Sequence, residues 1–470
     1  MIGICLAALI TIHLAEPRLL VRHATVITCA KGRELNDTDV LIEEGRIKAI
    51  GKNLRAIGAQ TIDATGKYLI PGLWDMHVHG TSVPGFTNLY LANGVTGIRD
   101  MFDPTSATFK IRDNIAAGKM DGPHIIAAGK IVDGDPPIWQ GSAVARNAEE
   151  GRKAVDQVLK EGSDFVKVYS LLSRDAYFAI ADECKEKHAV FAGHVPEVVS
   201  AEEASNAGQK SFEHLYGILK SCSSEAAQIS RTKMLGMKPE ESRAFIQKLL
   251  DTYDEKHARK LFSLLKKNKS WQCPTLTVLY SISHPKDPRT DQQDRLLYMP
   301  NWMKPFWAQY MEKFKDWTPL DRELRDRYFQ KQLEVVGDMY RAGVPILAGT
   351  DVMNPYCFPG FSLHDELAWL VRAGLKPAEA LRVATINAAK YVGKDKDFGT
   401  IERGKVADLV LLDLNPLMDI HNTTKINLVI LGGKVFDRAA LDKMMPKASA
   451  LIPSSSEMPA FLGGVANDES

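Results

Sequence analysis

The chain has 470 residues, 45% of them hydrophobic and 25% charged, with a formal net charge of +1. Its length exceeds one small core and fits about three ordinary domains, or one large barrel with a smaller companion. The charge balance, with no basic stripe interleaved by aromatics, sets no field for nucleic acid or an anionic membrane. Cys5, Cys29, Cys184, Cys222, Cys273 and Cys357 form no C-x-x-C pair. That pattern speaks against a zinc ribbon, a dithiol motif and a disulfide scaffold, and the thiols read as buried small hydrophobes.

The chain opens with "MIGICLAALITIHLA". This apolar run is short for a bilayer span. It has the length of a signal-peptide core, without a basic start or a clean A-x-A site. Residues 1–17 read slightly more as an export leader than as a buried first element, because "PRLLVRHATVITCAKG" already supplies a first strand. An exported or periplasmic location is therefore favoured over a cytoplasmic one. No other stretch has transmembrane character.

Residues 18–70 hold short strands broken by Gly, Asp and Asn, in "LLVRHATVIT", "DVLIEEGRIKAIG" and "TIDATGKYLIPG". The same texture returns over residues 395–445, in "GTIERGKVADLVLLDLNP" and "INLVILGGKVFD". Together they predict one small β-sandwich built from both chain ends, since two separate β-rich tails would leave many strand edges unpaired. Residues 71–394 alternate between strands and helices. The strand candidates are "WDMHVH", "VTGIRDM", "HIIAAG", "DFVKVYS", "AVFAGHV", "KSFEHL", "WQCPTLTVL" and "VPILAGTD". Helical segments such as "NAEEGRKAVDQVLKEG" and "SRDAYFAIADECKEKH" separate most of them. This order predicts an α/β fold of the closed (β/α)8, TIM-type class. A doubly wound open sheet is the rival, but no G-x-G-x-x-G turn follows an early strand. Insertions near residues 218–269 and in "MPNWMKPFWAQYMEKFKDWTP" flank the seventh strand. The second is aromatic and helical, and reads equally as a pocket cover, as plain packing or as a contact in a homo-oligomer. Residues 446–470 read as a flexible polar tail.

A barrel of this class carries its chemistry where the strands end. The first candidate ends in "IPGLWDMHVHG". Alternate residues share a face, so His77 and His79 send both imidazoles toward one point. Imidazole is the commonest protein ligand for zinc-like metals, but two surface histidines would give the same pattern. The fourth candidate holds Lys167 within "FVKVY", where an uncompensated ammonium among Phe165, Val166, Val168 and Tyr169 is costly. His194, His214 and Asp351 stand at the fifth, sixth and eighth ends. Each has an ordinary reading: a snorkelling lysine, a satisfied core histidine, a helix cap. All six at strand ends point to one metal-binding mouth.

This set resembles the amidohydrolase superfamily over nearly the whole chain, through "PGLWDMHVH", "FVKVY", "AGHVP", "FEHLYG", "LAGTD" and the tail "ATINAAKYVG" to "DLVLLDLNP". It looks most like the prolidase-type group of Xaa-Pro dipeptidases and ochratoxinase-like amidases. The resemblance implies two divalent ions, zinc first among them: one on His77, His79 and Asp351, the other on His194 and His214. It also implies that Lys167, carboxylated by CO2, bridges them. Chemistry agrees, because a lysine kept neutral by apolar surroundings captures CO2. The carbamate can span cations roughly 3.5–4 Å apart.

The implied reaction is hydrolysis of an amide or peptide C–N bond in a dipeptide or N-acyl amino acid. A hydroxide bridging the ions attacks, and Asp351 passes the proton to the leaving nitrogen. Tyr216 is expected to donate to the oxyanion. His124 is expected to meet a substrate carboxylate or carbonyl. Arg99 is a further carboxylate candidate, unless it pairs with Asp100 or Asp75.

Two rivals come from other classes. A mononuclear deaminase or imidazolonepropionase-like cyclic amidohydrolase would dispense with Lys167 and shuttle protons on a helix-borne glutamate, for which "GHVPEVVS" offers Glu197. A non-catalytic assembly protein of the dihydropyrimidinase-like kind would lack ligands, and the set is complete here. Ester or organophosphate hydrolysis is compatible with the same hydroxide as a side reaction.

Overall fold

The computed structural model describes residues 18–30, 34–226, 229, 239–285, 294–312 and 314–445. The expected leader, 1–17, and tail, 446–470, lie outside the described residues. No described helix is long and apolar enough to cross a membrane.

Five strands come first: β1 (Leu19–Ile27), β2 (Glu34–Glu43), β3 (Arg46–Gly51), β4 (Gln60–Asp63) and β5 (Tyr68–Pro71). The β2–β3 turn is the pair Glu44–Gly45, with φ of 51° and 69°. A two-residue turn with both φ positive matches the twist of its flanking strands. Then come β6 (Leu73–Val78), β7 (Val95–Asp100) and β8 (His124–Ala127), which pair in parallel. A second parallel sheet takes β9 (Ile131–Asp133), β10 (Ala143–Val144), β11 (Val166–Val168), β12 (Phe191–Gly193), β13 (Ser211–Glu213) and β14 (Trp271–Cys273). Its order is β10-β9-β11-β12-β13-β14. The chain closes its regular structure with β15 (Leu409–Leu412), β16 (Ile426–Leu431) and β17 (Lys434–Asp437).

The two chain ends share a sheet of eight strands, ordered β17-β16-β15-β5-β1-β2-β3 with β4 beside β1. It is one hydrogen-bonded sheet, where two packed sheets are expected from the sequence. The reason is β5, which pairs with β1 on one side and β15 on the other and so joins the halves edge to edge. The far edge turns back, Arg46 of β3 bridging to Val406 just before β15. The fold encloses Leu19, Val21, Ile42, Ile47, Leu409 and Leu411.

Both faces of the parallel strands are covered, so even their polar residues, Asp75, His77, Arg99 and Lys167 among them, are buried. Every residue of β6 and β7 is buried. Backbone bonds extend beyond the named strands. Gln272 N–H donates to Pro345 O at 2.9 Å, Leu347 N–H to Gln272 O at 2.8 Å, and Met76 N–H to Ala348 O at 2.8 Å. Residues 344–349, the expected eighth strand, thus lie between β14 and β6. Asp164 N–H donates to Ala127 O at 2.8 Å, tying β8 to the entry of β11. Helices Ala148–Glu161, Arg174–Glu186 and Ala201–Asn206 begin on Asn147, Ser173 and Ser200, whose side chains accept a first-turn N–H.

One expected strand is shorter than its sequence pattern. "WQCPTLTVL" is a strand only to Cys273; Leu276–Ser283 is helical. Pro274 cannot donate to a ladder. Glu366, far along the chain, accepts the freed Leu276 and Thr277 N–H groups at 3.0 and 2.8 Å. A helix start satisfied from another element leaves no local signature.

Candidate metal centre and active site

The parallel strands aim five elements at one point. His77 is in β6 and His79 just beyond it, Lys167 is in β11, and His194 and His214 directly follow β12 and β13. Asp351 follows the 344–349 segment. His77, His214 and Asp351 offer ligand atoms that all lie within 4.8 Å of one another. Asp351 Oδ1 is 3.4 Å from His77 Nε2 and 3.1 Å from His79 Nε2, and Oδ2 is 3.6 Å from His214 Nδ1. The His194 ring centroid lies 5.0 Å from that of His214. Burial pushes the Asp351 carboxyl up, but His214, His77 and His79 outweigh it and hold it well below the carboxylate range.

Backbone detail makes this convergence possible. His214 and Asp351 have φ of 58° and 61°, a left-handed conformation that non-glycine residues keep only where surroundings enforce it. A Cβ on Gly349 would lie 2.5 Å from Cys273 Sγ and 2.7 Å from His77 Cβ, so only glycine lets this segment approach β6. Asp75 fastens the same segment, accepting from Thr350 N–H at 3.1 Å and Thr350 Oγ1 at 2.6 Å. Burial pushes its carboxyl up to about 7.

Lys167 is 1% exposed. Burial lowers its ammonium to about 8, against the pull of Glu213 and Asp351. It makes no ion pair among the described residues. Its stem passes Gly193, where a Cβ would sit 2.9 Å from Lys167 Cδ.

Outer partners fix the imidazoles. His77 Nδ1 bonds Glu213 Oε2 at 2.7 Å, His194 Nδ1 bonds Ser170 Oγ at 2.8 Å, and His214 Nδ1 bonds Thr275 Oγ1 at 2.7 Å. Such partners set the tautomer and leave the other nitrogen for a metal. His77 Nε2 and His79 Nδ1 are buried without a hydrogen-bond partner. The orphaned His77 Nε2, the His79 Nε2 beside Asp351, a depressed carboxyl and a buried lysine are a donor set that suits divalent cations.

Three further residues take places the sequence did not predict. His124 opens β8 level with Gly97, three residues before Ala127, which is level with Asp100. About 10 Å of strand therefore separates it from the mouth. Its Nε2 bonds Asp408 Oδ2 at 2.8 Å and its ring packs against Trp74 and Phe398. A residue that opens a parallel strand faces the opposite end from one that closes it, so His124 is an inter-sheet contact. Arg99 meets neither Asp100 nor Asp75. It donates to both oxygens of Glu213, each at 3.0 Å, and is fully buried. Glu197 is 2.9 Å from Lys220 Nζ, in an ion pair.

Tyr216 stands beside the cluster, its ring 4.5 Å from His194 and 5.3 Å from His214. Sequence reasoning missed Glu213 and Tyr169. The Tyr169 ring stacks on His194 at 3.9 Å, and its hydroxyl accepts from Trp139 Nε1 at 2.8 Å. Its signal was present: two residues after Lys167, it shares that strand face. The aromatic insertion is a helix over Met303–Glu312, and Trp307 Nε1 donates to Met353 O at 2.9 Å, on the loop that follows Asp351.

The amidohydrolase family model matches residues 68–436, and the chain belongs to that family. Amidohydrolases are hydrolases that act on carbon–nitrogen bonds, and the family generally binds divalent metals. The chain is similar to a bottromycin amidohydrolase, with a TM-score of 0.73 at 21% identity over 94% of this chain and 92% of that one. It is also similar to a Xaa-Pro dipeptidase with methionine bound in its active site, at 0.66 and 20%, over 89% of this chain and 100% of that one. Both are likenesses of fold. A dihydroorotase of Trichlorobacter lovleyi is 52% identical over 63 residues, 13% of this chain and 14% of its own. The chain thus matches only a small part of that relative's length.

Proposed function

We propose that the protein is a binuclear metal-dependent amidase that hydrolyses the C–N bond of dipeptides or N-acyl amino acids. The scaffold of this reading is a closed (β/α)8 barrel over residues 71–394, supported by the bonds that carry β14 through residues 344–349 to β6. Residues 18–70 and 395–445 form its companion unit. His77, His79 and Asp351 would hold one ion, His194 and His214 the other, and a carbamate on Lys167 would bridge them, zinc being the first choice. When bound, such ions bring a water's pKa toward neutrality and polarise a carbonyl.

The rest belongs to the side chains. Asp351, held as a carboxylate by three imidazoles, takes a proton from water and returns it to the leaving nitrogen. The Tyr216 hydroxyl donates to the carbonyl oxygen as charge builds there. Tyr169, stacked on His194, keeps that ring in place and excludes water from one side.

The observation that carries this reading is Lys167: buried, in no ion pair among the described residues, and on the strand between the two histidine groups. A mononuclear deaminase has no use for it, and the glutamate such an enzyme would need is held by Lys220. Ring opening of a cyclic amide is a second reading, supported by the short dihydroorotase match. The test is turnover by metal-loaded protein of N-acyl amino acids and dipeptides beside a cyclic amide and an aminopyrimidine. Hydrolysis of the first two is expected. Turnover confined to the latter two contradicts the proposal.

A further inference from the structure

Beyond His214 and Tyr216 a cavity of about 150 Å³ opens, and the metal ligands do not account for its far wall. Val195, Phe245, Leu249, Leu279 and Ile282 line it, together with the Glu197–Lys220 ion pair. The far wall is the Pro319–Ala342 helix, which contributes Arg325, Tyr328 and Gln332. Spacings of three and four put these on one helix face.

Gln332 Oε1 is unsatisfied, and Arg325 has no carboxylate partner among the described residues. Arg325 donates to Ser242 Oγ and lies 4.8 Å over the Trp317 ring, but makes no ion pair among the described residues. Asp321, which acts on it electrostatically, is already engaged by Arg243 at 2.8 Å. Burial lowers the Arg325 guanidinium from its ordinary value. Gln332 is 4% exposed and its Oε1 has no hydrogen-bond partner. On the same helix Lys331 pairs with Glu334 and Arg341 with Asp338. A desolvated guanidinium with an open fork is a receptor for a carboxylate.

We propose that Arg325 anchors the free carboxylate of the substrate, whose compact apolar side chain fills the cavity. The substrate class is then an N-acylated amino acid or dipeptide ending in a leucine-, methionine- or phenylalanine-like residue. An apolar cavity of roughly 150 Å³ accepts a benzene-sized group. Gln332 Oε1 offers an acceptor to a donor on the same residue. This rests on the amidase reading and adds to it a recognition residue on a helix outside the strand ends.

The experiment compares N-acetyl-L-phenylalanine with its carboxamide on wild type, Arg325→Gln and Arg325→Lys. Steady-state kinetics of the metal-loaded proteins should show a carboxylate-to-carboxamide ratio in kcat/KM of about 100 in wild type, near 1 in Arg325→Gln, and intermediate in Arg325→Lys. Calorimetric titration of the metal-free proteins should show about 10- to 100-fold weaker binding of the carboxylate by Arg325→Gln. Selective binding lost in Arg325→Gln, without hydrolysis of either compound, keeps the anchor and removes only the amidase reading. Equal ratios in wild type and Arg325→Gln, or no preference for the carboxylate in titration of wild type, overturn the anchor. Arg325→Lys supplies a folded protein should the glutamine variant misfold.

Discussion

The Arg99–Glu213 pair and the His77–Asp351 rim are both buried and both charged, yet only the first is closed on itself. Arg99 donates to Met76 O, Ser211 Oγ, the Tyr391 hydroxyl and both oxygens of Glu213. Glu213 in turn holds His77 Nδ1. At the rim the balance is different. His77 Nε2 and His79 Nδ1 have no hydrogen-bond partner among the described residues, and Lys167 makes no ion pair among them. Buried polar groups are normally paired, so a closed network positions its neighbours, and an open one marks where a ligand is to bind. His77 belongs to both, one nitrogen in each.

That contrast can be broken from either side. Asp351→Asn should lower kcat by about 10⁴-fold with little change in melting temperature; a loss below about tenfold moves the proton carrier elsewhere. Glu213→Leu leaves Arg99 buried without its counter-ion, and denaturant unfolding should register about 3–5 kcal/mol of lost stability. Stability equal to wild type would mean that the pair is not closed as described. Tyr216→Phe keeps the ring and removes the donor, so kcat should fall by about 10²-fold at unchanged stability. Full activity in that variant assigns the oxyanion to another group. His124→Ala should be the mildest, costing about 1 kcal/mol or less through its half-exposed contact with Asp408. A large loss of kcat/KM there would return His124 to the substrate.

The rim was legible in the sequence because a strand shows its inward face at every second residue, and because parallel strands end at one side. His77, His79, Lys167, His194, His214 and Asp351 could be aligned by that rule alone. His124 could not, since a strand's first residue and its last look alike until direction is tied to depth. Arg99 and Glu213 sit on strands that do not pair with each other, and only the packed interior brings them together. The same applies to Arg325. Which face its helix turns toward the cavity depends on tertiary packing.

The most direct measurement is the metal content of wild type and Lys167→Ala, both reconstituted with zinc and bicarbonate and freed of excess ion. The bridging account predicts about two ions per chain in wild type and a loss of at least one in the variant. Equal content in the two proteins would contradict it.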